Sequence, residues 1–114
     1  MSSSIFGNAC AMGPRRRLPQ RRFHQLVDFE HAGYRYTAGL GFFESGELGE
    51  IFINVPGRSG SAIEAVARDA AILASICLQY GASAEVIRRA LTRNGDGSAS
   101  GPLGAALDLL AREA

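Results

Sequence analysis

Tyr34-Arg35-Tyr36-Thr37-Ala38-Gly39-Leu40-Gly41-Phe42 puts Tyr34, Tyr36, Ala38, Leu40 and Phe42 on one face of an extended chain. A period of two, rich in aromatic side chains, is the signature of a half-buried strand. The same period runs on either side. In Phe23 to Glu30, Phe23, Gln25, Val27 and Phe29 share one face, while His24, Leu26, Asp28 and Glu30 share the other. In Glu47 to Val55, Ile51, Ile53 and Val55 alternate with Glu50, Phe52 and Asn54. His31-Ala32-Gly33 and Glu44-Ser45-Gly46 separate the runs and are of hairpin length, with glycine supplying the turn. Three strands joined by short turns predict an antiparallel meander with one face covered.

Pro56-Gly57-Arg58-Ser59-Gly60-Ser61 breaks this pattern, and beyond it the period becomes helical. Ser59 or Ser61 is placed to cap a long helix in which Ile63, Val66, Ala70, Leu73 and Cys77 recur at i, i+3, i+4 spacing. Ile72, Ile76 and several alanines widen that stripe, so the helix is expected at the centre of the fold, against the sheet, ending at Gly81. Cys77 reads as a small apolar packing residue. Ser83 caps a second, shorter helix with Val86, Ile87, Ala90 and Leu91 inward and Arg88 and Arg89 outward. Asn94 to Gly101 is a flexible loop by composition. Pro102 suits the first turn of a last helix carrying Leu103, Ala106, Leu107 and Leu110 on one face. The fold class is therefore α+β: a three-stranded antiparallel meander against a long central helix, with two shorter helices.

A chain of 114 residues is the size of one domain and can bury about two-thirds of its unfolded surface. Residues 1–13 read as a flexible head, 14–22 as a basic arm and 23–114 as the folded unit. Only two cysteines occur, Cys10 and Cys77, which is no disulfide framework, so a reducing compartment and the cytoplasm are expected. The most apolar run, Ala62 to Leu78, carries Glu64, Arg68 and Asp69, too much charge for a membrane span. The first residues lack the basic and apolar regions of a secretory signal. All twelve basic residues are arginine, and five of them (Arg15, Arg16, Arg17, Arg21, Arg22) fall between Pro14 and Arg22. Without those five the net charge of +1 becomes −4, so a basic segment is attached to a mildly acidic body.

Two segments have the chemistry of binding sites. Gly57, Arg58, Ser59, Gly60 and Ser61 join a strand to a helix start, where unpaired N–H groups and the helix dipole favour an anion, and Arg58 adds a bidentate donor. The pattern is not GxxxxGK[ST], and a turn with a serine cap explains the same residues. The arginine arm, held extended by Pro14 and Pro19, suits a protein partner, phosphates of nucleic acid, or pairing with acidic residues of the sheet. His24 and His31 project to opposite faces of one strand, so they make no ready metal pair. Glu44, Glu47 and Glu50 cluster at a hairpin, as carboxylates that solubilise a turn or face arginines do. No nucleophile, base and oxyanion donor assemble, and neither metal nor cofactor is expected.

Arg17-Leu18-Pro19 with Arg22, then Tyr36, then Gly49-Glu50-Ile51-Phe52-Ile53, continue through Gly57, Gly60-Ser61, Ser75 and Leu78-Gln79-Tyr80-Gly81 to Glu85. This ordered set, over about residues 15 to 92, resembles the TSCPD domain, found at the C-terminal end of adenosylcobalamin-dependent ribonucleotide reductases and as short free-standing proteins. The resemblance implies an auxiliary domain linked to deoxyribonucleotide synthesis. The catalytic barrel of a ribonucleoside-diphosphate reductase would need several hundred further residues. The family's cysteine signature is missing, its region reading Asn94-Gly95-Asp96-Gly97-Ser98, so no metal or redox role carries over. The expected function is thus a non-catalytic accessory module that binds a protein, a reductase among the candidates, or its own copy. The alternative is a nucleotide- or nucleic-acid-binding regulator using the arm and the Gly57–Ser61 loop. A homo-oligomer is expected because the sheet has two edges and an incompletely covered face, with Phe42, Phe43 and Phe52 available across a two-fold axis.

Overall fold

A computed structural model describes residues 13–113. The expected head, residues 1–13, and Cys10 with it, lie almost wholly outside that range. Strands β1 (His24–His31), β2 (Tyr34–Phe42) and β3 (Leu48–Asn54) form one antiparallel sheet in the order β1-β2-β3, followed by helices α1 (Ala62–Gln79), α2 (Ala84–Ala90) and α3 (Pro102–Glu113). The α+β class and the meander are as the sequence predicts. The β1–β2 turn is the two-residue Ala32-Gly33, both at positive φ (51° and 85°), the geometry whose twist matches that of the strands it joins. A bulge between Gly41 and Phe42 shifts the β2–β3 register so that Phe42 faces Leu48.

Alternation sorts the sheet residues as expected. Tyr36, Ala38, Leu40, Ile51, Ile53 and Val55 turn inward and are buried, each large aliphatic contributing about 1.5–3 kcal/mol. Helices α1 and α3 share the covering of this inner face: α1 packs on β3, while Ala106 and Leu110 of α3 face Val27, Phe29, Ala38 and Leu40. The outer face carries the rows His24–Gly41–Glu50, Leu26–Gly39–Phe52 and Asp28–Thr37–Asn54, and none of the described helices covers it.

The structure corrects the expected face of α1. The buried stripe is Ala67, Ala71, Ala74 and Leu78; of the expected stripe Ile63 and Ala70 lean half-buried on the core, while Val66, Leu73 and Cys77 do not. Val66 and Leu73 are 66% and 63% exposed, Ile72 is also exposed, and so is Cys77, which is no packing residue. The reason is non-local. The Ser75 hydroxyl lies 2.9 Å from Ile51 N and 3.0 Å from Ile51 O, and Gln79 Nε2 donates to Gly49 O at 2.9 Å. These two side chains satisfy Ile51 N–H, Ile51 O and Gly49 O on the free edge of β3. Turning the helix by one residue, about 100°, would bury Leu73 but swing both polar groups off that edge.

Two further expectations change. Val86 and Ala90 of α2 are exposed, while Ile87 and Leu91, with Ala84, lean on the core. The segment Asn94–Gly101 is internally bonded: Asn94 N–H donates to Ser98 O, Gly97 N–H to Asn94 O, and the Asp96 carboxylate accepts from Ser98 N–H and its hydroxyl. Arg93 bridges to Ala99, which is buried. Turn-forming composition here builds a closed hairpin-like loop, because Asn, Asp and Ser bond to their own backbone.

Candidate functional site

The basic arm lies on the body of the protein. Arg15 Nε donates to Gln79 Oε1 at 2.6 Å, and Arg16 N–H donates to Gln79 O at 2.7 Å. The Arg16 guanidinium stands 3.7 Å above the centre of the Phe43 ring, close to Glu47 and Ser45. Arg22 pairs with Glu50, a carboxylate whose side chain is 8% exposed, and also donates to Pro19 O. Glu50 folds across Gly41, where an added Cβ would lie 2.6 Å from its Cγ. Three of the five arginines are thus engaged within the chain. Arg17 and Arg21 are exposed and form no ion pair among the described residues.

At the Gly57–Ser61 loop the helix start is capped from within. Ser61 Oγ accepts from Glu64 N–H (3.2 Å), and the Glu64 carboxylate accepts from Gly60 N–H (3.1 Å). Arg58 N–H and Ser61 N–H are used by Val55 O and Arg58 O. Gly57 and Gly60 hold φ near 78°, so the glycines serve the turn. A carboxylate of the chain therefore takes the Gly60 N–H, one of the groups an anion would need. The Arg58 guanidinium lies 5.2 Å from the centre of the Tyr34 ring. Ser59 is exposed.

An open cleft of about 1050 Å³ lies between the β1–β2 turn, the Asn94–Ser100 loop and α3. Its polar wall is a network the sequence reading missed. Asp108 of α3 accepts from Arg93 (2.5 and 2.8 Å) and from Arg88 (3.1 Å), and Arg88 and Arg89 both bond Glu85. Hydrogen bonds from Arg93 and then Arg88 hold the Asp108 carboxyl at about 2, and those from Arg88 and Arg89 do the same for Glu85. At neutral pH Asp108 is an ionised tie whose oxygens are engaged, which suits it to joining α2, the loop and α3. A lone acid inside the leucine run of α3 was the available signal. Across the cleft His31 Nε2 lies 2.9 Å from Ala99 O, an atom that only accepts, so Nε2 carries the proton.

His24 is exposed on the outer sheet face, away from His31, and among the described residues no three His, Cys, Asp or Glu side chains gather as metal ligands. Phe43 is buried and Phe42 half-buried against Phe23, so of the three aromatics expected at a two-fold axis only Phe52 is exposed. No described helix is long and apolar enough to cross a membrane. On the outer face of α1, Val66, Ile72, Leu73 and Cys77 meet solvent. Compared with protein-family models, curated proteins and solved structures, the chain matches none of them.

Proposed function

We propose that this protein is a non-catalytic accessory module that works through protein–protein contacts, with the outer face of α1 as its main docking surface. One observation carries the reading: α1 turns Ala67, Ala71, Ala74 and Leu78 to the sheet and Val66, Ile72 and Leu73 to solvent. Covering side chains of that size is favourable by about 1.5–3 kcal/mol each, and a contiguous apolar face of this kind is characteristic of an interaction surface. The ordered resemblance to the TSCPD domain supports a ribonucleotide reductase as the partner.

The test is direct binding of the purified chain to the reductase of the same cell, with the wild type compared against Val66→Glu/Leu73→Glu. Binding by the wild type, lost in the double variant at unchanged circular dichroism, is the expected result. No binding by the wild type rejects the reductase as partner. Equal binding by the double variant rejects the α1 face.

A further inference from the structure

The two edges of the sheet are treated differently. Along β3 the outward backbone groups of Gly49 and Ile51 are met by Gln79 and Ser75. Along β1 nothing comparable occurs. Phe42 N–H donates to Phe23 O, and the register sets Gln25 against Leu40, Val27 against Ala38 and Phe29 against Tyr36. The alternation of an antiparallel ladder then turns the N–H and C=O groups of His24, Leu26, Asp28 and Glu30 away from β2. Among the described residues no backbone group bonds to them. The same edge bears the two most exposed large apolar side chains among the described residues, Leu26 (73%) and Phe23 (69%). A long, bare strand edge with apolar side chains is a template for strand addition.

We propose that a second copy of this chain occupies the β1 edge, its β1 pairing antiparallel across a two-fold axis at Leu26 to make one continuous six-stranded sheet. The side chains choose the register. Centred on Leu26, the pairing sets Leu26 against Leu26 and His24 against Asp28 on the outer face. On the inner face Phe23 meets Phe29, and Gln25 meets Val27. Centring on Val27 sets Leu26 against a carboxylate, and centring on Asp28 sets two carboxylates face to face, which is unfavourable. Of these three registers, only the one centred on Leu26 sets both exposed apolar residues against apolar partners, and it also places the His24 imidazole beside the Asp28 carboxylate. Because α1 lies along β3, with Ser75 bonded to Ile51 and Gln79 to Gly49 O, that edge is occupied and growth stops at two copies, where two open edges would give a filament. This surface is separate from the outer face of α1 and does not depend on the reductase reading.

Sedimentation velocity of the full chain over a wide concentration range tests it, with Leu26→Pro and Leu26→Lys alongside the wild type. Proline at Leu26 removes an N–H that faces the open edge and leaves the β1–β2 ladder its bonds; lysine is the charge that edge strands use to refuse pairing. The wild type is expected as a reversible dimer. Losing one edge hydrogen bond per copy raises the dimer Kd on the order of 30-fold in Leu26→Pro, and Leu26→Lys is monomeric with unchanged circular dichroism. A wild type that stays monomeric at the highest concentration overturns the proposal. So does a dimer that persists in Leu26→Lys, or one abolished by Val66→Glu/Leu73→Glu while Leu26→Lys keeps it.

Discussion

Ala32 sits at φ 51° in the β1–β2 turn, in the left-handed region where a Cβ is strained by roughly 1 kcal/mol. Asparagine tolerates that region and Asn-Gly is the favoured pair for such turns, so Ala32→Asn is expected to raise stability by about 0.5–1 kcal/mol in urea unfolding. Gly41 and Glu50 work as a pair. The glycine makes room for a carboxylate that lies nearly buried against Arg22. Removing the guanidinium strands that charge, so Arg22→Ala is expected to cost about 3 kcal/mol, with much of the loss recovered in Arg22→Ala/Glu50→Ala. A double-mutant cycle by chemical denaturation checks both halves. The sequence reading that glutamates near the hairpin face arginines was sound for Glu47 and Glu50. Which arginine met which glutamate was not legible, because the arm's path is set by Gln79 and Phe43, distant in the chain.

At the scale of the element, α1 shows why periodicity alone could not orient a helix. Val66, Ala70, Leu73, Cys77 and Ala67, Ala71, Ala74, Leu78 repeat with the same spacing, one residue apart. Size favoured the first stripe and hydrogen bonding at β3 selected the second. Two substitutions separate the alternatives. Ala71→Leu crowds a close contact with the sheet and is expected to destabilise by about 1–3 kcal/mol. Leu73→Glu lies in solvent and should change the stability of the chain by no more than about 0.5 kcal/mol. Thermal unfolding of both decides, and a large loss for Leu73→Glu would restore the stripe of larger side chains to the core. Ser75→Ala leaves Ile51 N–H without its partner and is expected to cost about 1–2 kcal/mol.

Across the whole molecule, the Asp108 network ties α2, the Asn94–Gly101 loop and α3 into one corner, and it gives the protein an acid limb. Asp108 and Glu85 titrate at about 2 when folded, below the ordinary carboxylate value of about 4. A depressed folded value adds stability that is complete above pH 4 and drains away as pH falls toward 2. Thermal unfolding between pH 5 and pH 2 should therefore show a steep decline, shallower in Asp108→Asn, which is also less stable at pH 6. The period-two runs and their glycine turns determined the meander by themselves, since alternation is a property of any strand with one covered face. The capping serines and Pro102 likewise marked the helix starts, because those groups act within a few residues of themselves. What only the tertiary structure decided is which surface is left uncovered. The outward apolar face of α1 and the occupied β3 edge follow from where Ser75 and Gln79 find partners, and a partner 24 or 30 residues away leaves no local trace in the sequence.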